Sequence, residues 1–322
     1  MPASLDPGPE RSADQHLHRE HLSRQGMVRH LVKQYSRPSF RSAMRKARQG
    51  IALPASSRRR QHPSEAIWAI AMVKNEADVI ELTVSHLLDQ GVDRILVVDN
   101  LSDDGTLEIL RSMGATDARV LVGVDSEPGY YQAAKMTHLA RYARRNGASW
   151  VIPFDADELW FAQEGRICDV LRGSPASVAT AAMHNAFPTE QPGEFRVETR
   201  PHDHPKVAYR PHPFALPMIG NHDVARSGLR MDALRVLHLP WRSEAQLLRK
   251  IRQGAKAFSV IDAPSEHGWH WRDNAGHDSL TMERLWGEVV TGTNNESIGW
   301  SPRGPFLIDD PRTWTTWPER LP

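Results

Sequence analysis

The sequence predicts an α/β fold: a mostly parallel, Rossmann-like sheet flanked by helices, followed by an irregular C-terminal extension. Three observations predict it. Short apolar runs rich in β-formers recur at 67–73, 94–100, 119–124 and 150–154, each of a length that suits a strand buried on both faces. Between them the pattern changes to a helical period, as in Ile80, Val84, Leu87 and Leu88. The last run ends in Asp155, Asp157 and Glu158, and acids at the carboxyl end of a strand in such a sheet face its ligand crevice.

Composition bounds the function classes. With 322 residues, 40% apolar and 25% charged, the chain has room for a substantial core. A formal net charge of +1 argues against a protein-wide field for nucleic acid, so no nucleic-acid partner is expected. The single cysteine, Cys168, excludes an internal disulfide and agrees with a reducing compartment. No run approaches the ~18 apolar residues of a membrane span, and the N-terminus lacks an apolar signal core, so a cytoplasmic protein is expected.

Taken in order, residues 1–63 carry thirteen Lys/Arg against four Asp/Glu and are expected to form a disordered basic arm. Within it, residues 27–47 have a basic helical pattern broken by Pro38. Such an arm can tether a protein to anionic lipid at the inner membrane face, or simply be a solvated tail. The main domain is expected at 64–260, with a nucleotide-binding half at 67–160 and a second half at 161–260. Its first strand, 67–73, turns at Lys74, Asn75 and Glu76; the helix that follows stops at Gly91. The second strand ends in Asp99 and Asn100, which makes a parallel, right-handed βαβ unit.

LSDDGT (101–106) leads into a helix containing Leu107 and Leu110 and ending at Gly114. Ser102, Asp103 and Asp104 are natural N-caps, whereas Asp99 stands at a strand end, where a carboxylate can accept from a ribose hydroxyl or a base N–H. After the third strand, the helix at 131–145 is cationic, and Lys135, early in it, is a candidate phosphate contact. Strands are then expected at 177–183, 206–209 and 234–239. Ser243 and Gln246 form a capping box for a helix whose apolar face is Leu247, Ile251, Ala255 and Phe258. Its Arg249, Lys250, Arg252 and Lys256 face either a diphosphate or water. The region 261–322 reads as loop-rich, with a short helix near 279–290. Its Trp269, Trp271, Trp286 and Trp300 either stack on an acceptor sugar or pack internally.

The acid cluster carries the chemistry. On an extended segment Asp155 and Asp157, separated by Ala156, can point the same way. Two such carboxylates can hold Mn²⁺ or Mg²⁺ while substrate phosphates complete the shell. An acidic turn capping the next helix would read the same.

The ordered set AMVKNE (71–76), VVDNLSDDGT (97–106) and FDADE (154–158) resembles the nucleotide-binding half of family 2 glycosyltransferases, which have the GT-A fold. The likeness is greatest to the subgroup with a Lys-Asn-Glu first turn and an Asp-Ala-Asp-Glu metal motif. It continues through GNH (220–222) to HLPWRSEAQLLRKIRQG (238–254). The resemblance implies metal-dependent transfer of a sugar from a nucleoside-diphosphate sugar, with uracil the expected base, to an acceptor hydroxyl with inversion. The acceptor is a polysaccharide, a lipid-linked glycan, a protein or a small molecule. By position, the resemblance implies that Asn75 and Glu76 border the nucleotide and that Asp99 binds base or ribose, with Asp103 nearby. It also implies that Asp155 faces ribose and metal, and that Asp157 is the main metal ligand, joined by His222 in preference to His238. Asp223, directly after GNH, is the first choice of catalytic base and Glu158 the second.

Three other classes compete. A nucleotidyltransferase would follow its first strand with a glycine-rich loop, and AMVKNEADVI contains no glycine. A metallohydrolase could draw on His202, Asp203 and His204, but these lack helical i, i+4 spacing. A non-catalytic nucleotide- or metal-binding protein would still have to hold three acids at one sheet edge.

Overall fold

Pro38 divides the basic N-terminal segment into two helices, α1 (Arg24–Ser36) and α2 (Pro38–Gly50), and opens the second at a position where a missing N–H costs nothing. The computed structural model describes residues 17–18, 23–55, 65–259 and 269–322. The segment expected to be disordered is therefore helical over 24–50, and the remainder of residues 1–63 falls largely outside the described residues. Burial explains the difference. Ala47 is wholly covered in the same core as Trp68, Met136 and Leu139, and Arg141 donates to the Tyr35 hydroxyl at 2.8 Å. Residues 24–50 still carry eight Lys/Arg and no Asp/Glu.

Strand β1 (Ala66–Val73), helix α3 (Ile80–Asp89), strand β2 (Arg94–Asp99), helix α4 (Thr106–Thr116), strand β3 (Val120–Asp125), helix α5 (Gln132–Arg145) and strand β4 (Ala148–Pro153) follow. The four strands are parallel, in the order β4-β1-β2-β3. Alternate residues of β1 serve two cores: Ile67, Ala69 and Ala71 pack with α3 residues Ile80, Val84 and Leu87, while Trp68 and Ile70 pack with α5. Each large side chain so buried contributes roughly 1.5–3 kcal/mol. Gly91 ends α3 with φ 80°, and a side chain there would also run into the buried Cys168.

Beyond β4 the sheet becomes mixed. Strands β5 (Glu158–Ala162), β6 (Val178–Pro188), β7 (Phe195–Glu198), β8 (His202–Tyr209) and β9 (Arg230–His238) continue it. β8 lies antiparallel between β4 and β6, and β9 pairs parallel with β6 and antiparallel with β5. This brings β8 beside the acid motif that follows β4. Helix α6 (Glu244–Ser259) and helix α7 (Ser279–Thr291) share a third core that includes Trp241, Leu247, Ile251, Met282 and Leu285. The C-terminal extension is thus packed onto the sheet: Phe306–Asp309 pairs with β7, and Trp317 joins the first core. Among the described residues no helix is long and apolar enough to cross a membrane.

Candidate functional site

A cavity of about 690 Å³ opens at the carboxyl ends of β1, β2 and β4, as the strand-end rule requires. Lys74, Asn75 and Glu76 line one side, Asp155 and Asp157 the floor, and a stripe of α6 the other side. That stripe, Gln246, Arg249, Lys250, Gln253 and Ala257, follows the helical period.

The turn after β1 is stitched to the loop after β2. Asn75 adopts φ 56°, a left-handed conformation that Asn tolerates. Its amide donates to Asp103 at 2.7 Å and accepts from the Asp103 N–H at 2.8 Å. Glu76 N–H donates to Thr106 Oγ1 at 2.9 Å and Ala77 N–H to Asp104 at 3.1 Å. Asp99 Oδ2 accepts from Ser102 N–H at 3.1 Å; among the described residues its buried Oδ1 has no hydrogen-bond partner. Asn75, Glu76 and Lys135 therefore reach the cavity wall, while Asp99 and Asp103 stand behind it. Lys135 is not a free cation. It pairs with buried Asp125 at 2.6 Å and donates to the Glu127 carbonyl at 2.7 Å.

Each acid of the 155–158 motif is closed by a lysine. Lys206, on β8, donates to Asp155 Oδ2 and to the Gly220 carbonyl at 2.7 Å each, and its ammonium stands 2.6 Å from Glu158 Oε1 as an ion pair. Burial would lower its pKa, but the two carboxylates outweigh burial and hold the ammonium well above its ordinary range. Glu158 is sealed from solvent, with Oε2 accepting from Asp155 N–H and Trp160 Nε1 at 3.1 Å each. Burial pushes its carboxyl up to about 8 against the pull of Lys206. Asp155 Oδ1 accepts from Asn221 at 3.3 Å.

Asp157 Oδ2 takes the Lys250 ammonium, with Arg242 Nη1 at 3.8 Å and His238 Nε2 at 3.5 Å. Burial would raise the Asp157 pKa; Lys250, His238 and Arg242 together overcome it and hold it well below the usual range. Asn185 donates to Glu198 at 2.9 Å, so its carbonyl accepts from His238 Nδ1 at 2.9 Å, and the ring's Nε2 faces Asp157. Arg242 ties the two sides of the cavity together, bonding Glu76, Asp78 at 2.7 Å and the Leu239 carbonyl at 3.1 Å.

This chemistry does not suit the metal site expected from the motif. Among the described residues no group of three or more His, Cys, Asp and Glu side chains is arranged to hold a metal ion. A dication placed ~4 Å from one of these ammonium groups would be repelled by about 8 kcal/mol at an effective dielectric of about 20, which cancels the attraction of one carboxylate at the same distance, so each lysine offsets the pull of the acid it pairs with. Asp155 and Asp157 point to different lysines rather than to one point. His222 does not join them: its Nδ1 donates to the Pro205 carbonyl at 3.0 Å and its other edge lies on Gly220. The histidine that approaches Asp157 is His238.

The two expected bases are also placed elsewhere. Asp223 pairs with Arg230 at 2.6 Å and accepts from Val224 N–H, off the cavity wall, and Glu158 is sealed beneath it. Lys206 and Lys250 were not singled out from the sequence as partners of the acids. The available signals were a lone lysine opening the apolar run KVAY, and Lys250 falling one turn after the buried Gln246. Of the four tryptophans, Trp271 and Trp300 line the cavity, Trp286 packs on the third core, and the Trp269 side chain lies outside the described residues.

Burial, helped by Lys206, pushes the His222 imidazole from an ordinary 6.5 down to about 4. A depressed pKa contributes stability that is present above 6.5 and is lost as pH falls toward 4. At ~1.4 kcal/mol per pKa unit this is on the order of 3 kcal/mol in full. Urea unfolding at pH 7 and pH ~4.5 should show a smaller acid loss in His222→Asn than in the wild type; equal losses would remove the assignment.

Comparison with known proteins places the first half of the chain. Residues 68–172, about a third of the sequence, match the Glycosyl transferase family 2 profile. Among solved structures, the mannosyltransferase PcManGT from Pyrobaculum calidifontis, in complex with GDP-Man and Mn²⁺, is similar over 85% of this chain and 87% of its own, at 15% identity and a TM-score of 0.39. S. aureus TarS 1–349 in complex with UDP is similar over 69% of this chain and 74% of its own, at 12% identity and a TM-score of 0.33. HddC from Yersinia pseudotuberculosis is similar over 53% of this chain and 76% of its own, at 12% identity and a TM-score of 0.29. No curated protein matches the chain. The profile match and the Rossmann-like sheet identify a GT-A fold, similar to family 2 glycosyltransferases over residues 68–172.

Proposed function

We propose that the cavity binds a nucleoside-diphosphate sugar and passes its sugar to an acceptor hydroxyl with inversion. The observation that carries this reading is the convergence of three segments on one cavity: the Lys-Asn-Glu turn, the acid motif, and the cationic stripe of α6. Lys74, Arg249 and Lys250 provide fixed positive charge where a diphosphate leaving group gathers negative charge. In the step itself the acceptor oxygen bonds to the anomeric carbon as the bond from that carbon to the phosphate oxygen breaks. The nucleoside diphosphate leaves with the electron pair, and the hydroxyl proton passes to a carboxylate.

Exposure and orientation favour Asp155 as the carboxylate that takes that proton. Of the acids on the cavity wall it is the most open, its side chain 33% exposed against 13% for Glu76 and 4% for Asp157. Lys206 anchors one of its oxygens and so orients the group. A general base must lie within hydrogen-bond reach of the proton it takes, which sealed Glu158 and outlying Asp223 do not.

Calorimetric titration of UDP and GDP, each with EDTA and with Mn²⁺, tests the reading. One of them should bind with a Kd in the range of about 1 μM to 1 mM. If neither binds under any condition while a nucleoside triphosphate does, the site is that of a nucleotidyltransferase instead.

A further inference from the structure

The acid motif arrives with its own cations. Lys206, its side chain only 5% exposed, is fully engaged: it donates to Asp155 and the Gly220 carbonyl and pairs with Glu158 Oε1 at 2.6 Å. It is a permanent positive charge built between Asp155 and Glu158. Lys250 is engaged differently. Its side chain is 24% exposed and lines the cavity, and it gives one N–H to Asp157. The next acid, Glu76, stands 4.0 Å away, beyond hydrogen-bond length. Among the described residues its remaining N–H groups have no acceptor in reach and are available to phosphate oxygens. Arg249, one residue earlier and 34% exposed, makes only a 3.4 Å contact with the Asn75 carbonyl and a 3.7 Å approach to Asp78.

We propose that nucleotide binding at this site needs no divalent cation, because the Lys250 ammonium, fixed on Asp157, meets the diphosphate directly. This rests on the nucleotide-sugar reading above. Asp157 then acts as a positioning residue for a cation carried by the chain, and Lys206 does the same work for Asp155 and Glu158. Neutralising a diphosphate by side chains is chemically sufficient, since charge-assisted N–H···O bonds are about twice as strong as neutral ones. The competing arrangement is specific: a dication displaces Lys250 and takes Asp157 Oδ2 together with His238 Nε2, which lie 3.5 Å apart.

Titration of the EDTA-dialysed full chain separates the two. With whichever of UDP or GDP binds, Kd should change by less than about 3-fold on adding Mn²⁺. Lys250→Met should weaken metal-free binding by about 30-fold or more, and Lys250→Arg, which keeps the charge, by no more than about 5-fold. Thermal unfolding of each variant checks that the fold is retained, and the wild-type metal dependence decides the matter even if Lys250→Met is unstable. The paramagnetic resonance signal of free Mn²⁺ should be undiminished by the protein with its nucleotide present, beyond what the nucleotide itself removes. Binding that appears only with Mn²⁺, or that Mn²⁺ tightens more than about 10-fold equally in wild type and Lys250→Met, overturns the proposal. Absence of nucleotide binding in both conditions removes the functional reading itself, and this proposal with it.

Discussion

Lys206→Met is expected to lower the unfolding free energy by about 3–5 kcal/mol, the usual cost of removing one partner from a buried ionic group. The methionine fills most of the same volume but leaves Asp155 Oδ2 and the Gly220 carbonyl without their donor and Glu158 Oε1 without its counter-ion. Glu158 bears most of the cost because it is sealed beneath Trp160 and cannot turn to water. The sign with pH follows. The Glu158 carboxyl is already raised from 4.5 to about 8 in the folded protein, so its contribution to stability is complete below 4.5 and is lost as pH rises through about 8. Without Lys206 that pKa rises further, and the deficit of the variant should be larger at pH ~8 than at pH ~5. Adding Glu158→Gln to Lys206→Met removes the carboxyl that must otherwise stay protonated and should abolish the extra deficit at pH ~8 relative to pH ~5. Urea unfolding of the wild type and the single and double variants at both pH values provides the measurement. A deficit below about 1 kcal/mol at both would show that Lys206 is not the counter-ion of these acids.

Asp155→Asn is expected to slow sugar transfer by about 10²–10⁴-fold, the range over which a positioned base contributes. That is about 3–5 kcal/mol of barrier. The amide is nearly isosteric and its oxygen can still accept from Lys206, so the fold and nucleotide affinity should be kept, with Kd changed by less than about 3-fold. This split distinguishes a group acting on the acceptor from one that binds the donor. Once the donor is identified by titration, its slow hydrolysis, with water as acceptor, serves as the assay before the natural acceptor is known. Asp223→Asn should have little effect, since that carboxylate is committed to Arg230 away from the cavity. A rate loss in Asp223→Asn and none in Asp155→Asn would reverse the assignment.

The first half of the sheet was legible because its signals are local. The alternation of β1, the period of α3 and α5 and the glycine that ends α3 depend on near neighbours, and their observed bounds differ from the readings by a residue or two. The motif order 71–76, 97–106 and 154–158 located the cavity for the same reason: parallel strands bring their carboxyl ends to one edge. Where local signals misled, a distant surface intervened. Residues 24–50 read as a solvated basic arm, but Ala47 and Tyr35 dock on α5 and the strands beneath it. His222 ends the GNH stretch and Asp223 follows it, yet the antiparallel return of the chain commits His222 Nδ1 to the Pro205 carbonyl and Asp223 to Arg230.

The sequence by itself determined the strands of the first half and their parallel sense, the helices that cover them and the edge where three acids collect, because hydrophobic period and turn chemistry are written within a few residues. Only the tertiary structure decided what those acids hold. Lys206 lies 51 residues from Asp155, and Lys250 lies 93 residues from Asp157. They meet because β8 returns antiparallel beside β4 and α6 crosses over the strand ends. A charge pair depends on distance in space, which no spacing along the chain encodes, so the site read from sequence as one that gathers a metal is, in the folded chain, one whose acids are already matched by its own lysines.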